Sequence, residues 1–237
     1  MDGRLNTFAA EPQGQAGLKL IGRAKQASAQ VSPILAVWLE VGVVFALILL
    51  AVWTRQGIVN TVACLSAMGC ILFFSSRSPF SMRELGLYSF TSGTMITLSL
   101  GIILAGMIAA SGSFMKLVLG PSQAVPMDRA WQYAIWAFAQ EFILQSFFYL
   151  RLKSVLGHRR AAWFAAGLFA VAHLPSPALT VLSFIGAVLF CKLFYRYRNL
   201  VPIGLVHAVL GLTIAASLPD RLLHHMRVGI GYLTYHR

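Results

Sequence analysis

A chain of 237 residues that is 58% hydrophobic and only 11% charged, with a mean hydropathy of +0.73, is too apolar for a soluble domain. It implies an all-α, polytopic membrane helix bundle of about seven spans (six to eight), at about 20 residues per span. The 19 Lys and Arg against 7 Asp and Glu give a net charge of +12, but the basic residues lie between apolar runs. There they set orientation and meet anionic lipid head groups, so membrane lipid rather than nucleic acid is the expected partner.

The first stretch, 1–32, is a polar, basic N-terminal tail with Arg4, Lys19, Arg23 and Lys25 around a short apolar patch. A cleavable secretory signal would carry its apolar core nearer the terminus, so none is expected. Leu18 to Lys25 reads as a basic interfacial helix or as part of a disordered tail. The transmembrane domain is expected over 33–219. Its spans fall at about 33–53, 57–74, 94–110, 129–150, 161–174, 178–195 and 200–218. Between them lie a loop at 75–92, which includes a short surface helix at Ser81 to Leu87, and a loop at 111–128 punctuated by Gly112, Gly120, Pro121 and Pro126. A basic loop follows at 151–160, and an interfacial C-terminal tail at 220–237. Glu40, near an end of the first span, reads as a solvent-reaching or helix-pairing carboxylate, with a polar cavity as the alternative. Cys64, Cys70 and Cys191 lie in apolar segments without metal-ligand spacing and read as small core residues.

Most of the Lys and Arg fall on one side if the N-terminal tail, Arg77, Arg83, the 151–160 loop and Lys192 to Arg198 share it. The positive-inside rule then places the N-terminus in the cytoplasm, with a bacterial inner membrane as the expected location. Reporter fusions after Leu174 and Leu218 are expected to report the outer side; a cytoplasmic signal after Leu218 would overturn the span count.

The stretch Gln140-Glu141-Phe142-Ile143-Leu144-Gln145 places an ionisable group inside a spanning run. Such a group costs roughly 2.5 to 3.5 kcal/mol on insertion scales and marks a functional site by default. Helical spacing puts Glu141 and Gln145 on one face, with Gln140 rotated away by about 100°. Two further intramembrane groups, His173 and His207, lie on other spans at depths compatible with one cavity. A carboxylate and two imidazoles are the parts needed to activate water and hold an oxyanion.

Gln140-Glu141-x-x-x-Gln145, Phe169-x-x-x-His173 and His207-x-x-x-Gly211 resemble, in order and spacing, the three motifs of the CAAX protease and bacteriocin-processing family, whose usual pattern is Glu-Glu-x-x-x-Arg, Phe-x-x-x-His and His-x-x-x-Asn. The resemblance covers about 81–218, because Met82-Arg83-Glu84-Leu85-Gly86-Leu87 is similar to the family's lead-in to its core. It implies an intramembrane endopeptidase acting on a membrane-associated peptide or protein, with glutamate-activated water and His ligands of the oxyanion. Glu141, His173, His207 and Gln140 would then be catalytic, and Gln145, Phe169 and Gly211 supporting.

Three positions depart from that pattern. Gln140 stands where the family has its base, and a carboxamide cannot take a proton from water. The base role therefore passes to Glu141, or there is no catalysis. Gln145 replaces the arginine and Gly211 the asparagine, which removes a cation and an oxyanion donor and leaves the latter task to His173, His207 or Gln140. The alternative is a non-catalytic relative that binds a membrane peptide or partner. No cofactor is expected; zinc held by Glu141, His173 and His207 is the alternative, disfavoured by the lack of a His-Glu-x-x-His pair.

Overall fold

The computed structural model describes residues 13–87, 93–122 and 126–235; among them the elements are helices and turns, with no strand. In chain order the helices are α1 (Gln13–Trp53), α2 (Ile58–Ser76), α3 (Gly93–Leu119), α4 (Ala130–Glu141), α5 (Leu150–Val171), α6 (Pro177–Tyr197), α7 (Leu200–Ser217), α8 (Asp220–Leu223) and α9 (Gly229–Leu233). A π-helical segment, Phe142–Tyr149, joins α4 to α5. The expected all-α helix bundle is the fold observed.

Among the described residues five helices are long and apolar enough to cross a membrane: residues 33–53 of α1, then α2, α3, α6 and α7. On α3, Met95, Ile102, Met107, Phe114 and Leu117 are all more than half exposed. So dense an apolar surface belongs against lipid. The two other expected passes are helical as well. The 129–150 pass runs through α4 and the π segment. The 161–174 pass is the later part of α5, after a break at Gly157 (φ 74°). At about 1.5 Å per residue that part is roughly 21 Å long, short of the ~30 Å hydrocarbon core. The irregular backbone after it lines a cavity, where non-helical structure at membrane depth is tolerated.

The chain divides into two compact units, Met1–Leu39 and Glu40–Arg237. In the first, α1 begins at Gln13 and presents Ile34, Leu35 and Leu39 to the surroundings; the rest of the expected N-terminal tail, 1–12, lies outside the described residues. All that follows concerns the second unit.

Several boundaries differ from expectation for identifiable reasons. The 111–128 loop is helical up to Leu119, because Gly112 marks a close approach rather than a turn: a Cβ there would lie 2.6 Å from the Ser217 Cβ. Small residues let membrane helices approach in this way. Arg151 is not in a loop either. It sits on α5, 3% exposed, its Nε donating to Glu40 Oε2 at 2.6 Å and its guanidinium 3.9 Å above the Phe147 ring. Glu40 is thus a helix-pairing carboxylate. Of the three cysteines Cys191 is buried as expected, whereas Cys64 is exposed and Cys70 half-buried, since α2 has few neighbours to cover it. The C-terminal segment folds back on the bundle, the Gly229 N–H donating to the Leu174 carbonyl at 2.7 Å.

The expected surface helix at Ser81 is instead a turn held by a capping box. Ser81 donates from both N–H and Oγ to Glu84 Oε2 at 2.9 Å, and Glu84 N–H donates back to Ser81 Oγ at 3.3 Å. The Ser81 N–H, with its hydroxyl, holds the Glu84 carboxyl below its usual range. This turn docks on the core. The Leu85 carbonyl accepts from Ser146 Oγ at 2.7 Å, and the Gly86 carbonyl accepts from Leu200 N–H at 3.0 Å. Gly86 has φ +75°, and a Cβ on it would lie 2.5 Å from Phe194 Cε2. Gly86→Ala is therefore expected to destabilise the fold by about 1–3 kcal/mol through backbone strain and overlap, read as a lower thermal midpoint in detergent; an unchanged midpoint would contradict the docking.

Candidate active site

α4 and α7 lie side by side and antiparallel, so that Phe138 meets Gly204 and Tyr133 meets Gly211. A Cβ on Gly204 would lie 2.5 Å from the Phe138 ring, so the glycine is what lets the two backbones come close. Glu141 ends α4 on this face and is wholly buried. Immediately after it the helix widens to π geometry, with Leu144 to Tyr149 all buried. π-bulges within helices often mark functional sites.

The expected polar stripe forms. Gln145 Nε2 donates to Glu141 Oε2 at 3.1 Å, while the other carboxylate oxygen, Oε1, lies 2.8 Å from His207 Nδ1. With the carboxylate oxygen as acceptor, His207 Nδ1 is the donor and Nε2 is the ring's remaining nitrogen. The imidazole sits between Phe190, stacked at 5.8 Å, and Phe169, edge-on at 6.1 Å, which fixes its plane.

His173 lies in the turn after α5, just before α6 starts at Pro177, where proline fits the first helical turn. Its Nδ1 is 2.7 Å from the Phe169 carbonyl, and its ring packs 4.7 Å from that of Phe169. A carbonyl accepts, so here too Nδ1 is the donor and Nε2 is left with a lone pair. Phe169, expected as a supporting residue, touches both imidazoles.

A cavity of about 760 Å³ opens beside these groups, lined by α1, α2, α4, the π segment, α5, α6 and α7 and by the turn at His173. Its wall is largely apolar, with Gln140, His173, His207, Tyr133 and Ser183 supplying polar atoms. The structure therefore brings Gln140, His173 and His207 to one space and sets Glu141 behind His207. Helical spacing alone turns Gln140 aside and points Glu141 at the cavity. The assignment reverses because the face of α4 that carries Glu141 is the one packed on α7, and one residue of helix rotates the side chain by about 100°. Gly211 also lines the cavity, next to Tyr133.

Among the described residues no group of three or more His, Cys, Asp or Glu is arranged to hold a metal ion. Glu141, His173 and His207 together do not make such a set.

Two contributors went unnoticed in the sequence: Ser146, which ties the π segment to the Leu85 carbonyl, and Tyr133. Tyr133 is legible in the sequence, because Tyr133 and Gln140 stand seven residues, about two helical turns, apart on one face.

A comparison with curated proteins and with solved structures found no match. Residues 125–213 match the family model described as type II CAAX prenyl endopeptidase Rce1-like, a segment that takes in Gln140, Glu141, His173, His207 and Gly211. This part of the chain is similar to that Rce1-like family, a match consistent with the CAAX protease and bacteriocin-processing family that its motifs resemble.

Proposed function

We propose that the protein is a membrane-embedded endopeptidase that hydrolyses a membrane-associated peptide or protein, with His207 as the base and Glu141 acting through it. The observation that carries this reading is the 2.8 Å contact between buried Glu141 and the Nδ1 of a histidine that lines the cavity. A carboxylate on Nδ1 fixes the tautomer with Nε2 as acceptor and stabilises the imidazolium formed when the ring takes a proton.

A water placed at Nε2 of His207 and of His173 would give one hydrogen to each lone pair. His207 takes one proton as the water oxygen bonds to the scissile carbonyl carbon, and the carbonyl π electrons move to its oxygen. The Gln140 carboxamide, which makes no hydrogen bond among the described residues, supplies an N–H to that oxyanion. On collapse the C–N bond breaks and the amine nitrogen takes the proton from His207 Nε2, leaving a carboxylic acid and an amine. Glu141 takes up no proton in this scheme. The largely apolar cavity wall suits an apolar segment entering from the bilayer.

A second reading, favoured by Gln140 at the cavity-lining position and Glu141 behind it, is a module that binds a membrane peptide or partner without cutting it. Purified protein reconstituted with a mixture of membrane peptides, followed by mass spectrometry, separates the two. Cleavage products are expected, with and without chelator. Intact peptides that co-purify with the protein would favour the binding module, and products lost on chelation would move the chemistry to a metal.

A further inference from the structure

Gly211 has a neighbour that the hydrolytic scheme above does not use. A Cβ built on Gly211 would fall on the Tyr133 hydroxyl, with the ring Cζ only 2.6 Å away. The tyrosine hydroxyl thus occupies the volume that any larger side chain at 211 would fill. Tyr133 lines the cavity together with His207, Gln140 and Gly211, and its hydroxyl makes no hydrogen bond among the described residues.

We propose that the Tyr133 hydroxyl donates to the substrate carbonyl oxygen, in place of a side chain at position 211. The inference rests on the endopeptidase reading for its catalytic consequence, and on geometry for its binding consequence. His207 and Gly211 are i and i+4 on α7, so their Cβ positions are about 5–6 Å apart on one face. The hydroxyl that falls on the second of these positions lies about one helical turn from the His207 Cβ, and both residues line the same cavity. A phenol donates one O–H, and it rotates about its C–O bond to meet an incoming acceptor. A cavity-lining hydroxyl with no partner among the described residues leaves that O–H uncommitted until substrate arrives, and such donors stabilise charge that develops on the oxygen. Asparagine at 211 and tyrosine at 133 exclude one another sterically, which accounts for the two residues as a pair: glycine at 211 is what makes room for the ring.

Tyr133→Phe removes one oxygen and keeps the ring, so folding should hold. Cleavage by this variant is expected to fall about 10²- to 10³-fold in kcat, with KM nearly unchanged. Gly211→Asn alone is expected to fail, and Tyr133→Ala with Gly211→Asn to recover activity over Tyr133→Ala, because the donor is then returned from the other helix. A readout independent of turnover uses an S-farnesyl peptide ending in Cys-aliphatic-aliphatic-X, with the prenyl-cysteine carbonyl labelled with ¹³C. Bound to wild-type protein in micelles, the label's infrared stretch is expected to shift to lower frequency, and the shift to be lost in Tyr133→Phe. If wild type does not cleave but the shift depends on Tyr133, the endopeptidase reading falls and this inference stands. A shift equal in both proteins, or no binding of the labelled peptide to wild type, overturns it.

Discussion

Glu141→Gln is expected to lower peptide cleavage by about 10² to 10⁴-fold, the usual worth of general base catalysis, with folding intact. The substitution preserves shape and one acceptor oxygen, so the His207 Nδ1 contact at 2.8 Å can persist. What disappears is the negative charge. Without it the imidazolium that forms when His207 takes a proton from water is uncompensated inside a buried site, and the new carboxamide can present N–H to Nδ1 and select the wrong tautomer. Gln140→Glu tests the same logic from the cavity side, since it places a second carboxyl where it can meet water directly. Its effect on Glu141→Gln is informative: recovery of cleavage in the double variant would show that a carboxylate at either position can serve. Equal product from wild type and Glu141→Gln, measured by mass spectrometry on protein of unchanged thermal midpoint, would remove the dyad from the mechanism.

The largest effect expected on stability belongs to the Glu40 and Arg151 pair. Glu40→Gln should cost about 3 kcal/mol, the low end for breaking a buried ion pair, because Glu40 retains some exposure while Arg151 does not. The guanidinium at 3% exposure keeps its contact with the Phe147 ring, but its charge loses the carboxylate 2.6 Å away. Nη2 of Arg151 already has no hydrogen-bond partner among the described residues, so nothing nearby takes up the loss. Replacing both residues by Met should recover much of the stability, since a matched apolar pair removes the stranded charge. Thermal unfolding in detergent of the single and double variants checks this; a Glu40→Gln midpoint equal to wild type would show the pair to be idle.

How far the site could be read from the residues follows from these two cases. The pairing of Glu141 with Gln145 was legible because i and i+4 side chains meet on any helix, and the approach of His207 to Glu141 was legible from the order of the three motifs. The apolar runs themselves gave the helices. The partner of Glu40 was not legible, since Arg151 lies 111 residues away in sequence and reads locally as part of a basic loop. Nor was the π segment, because a ladder shifted to i+5 leaves no mark in the hydrophobic pattern of Phe142–Tyr149. Which of Gln140 and Glu141 faces the cavity depends on which face of α4 packs on α7, and that is decided by Gly204 and Gly211 on the other helix. The helical position of Tyr133 is legible, but its contact with Gly211 is one of tertiary structure.

The most direct measurement is cleavage of a reconstituted membrane peptide in H₂¹⁸O, with wild type and His207→Gln compared by mass spectrometry. A cut that places one ¹⁸O in the new carboxylate, and that falls by at least about 10²-fold in His207→Gln at unchanged thermal midpoint, is the result expected of a histidine base that activates water. An intact peptide with wild type, or equal ¹⁸O-labelled product from His207→Gln, would contradict it.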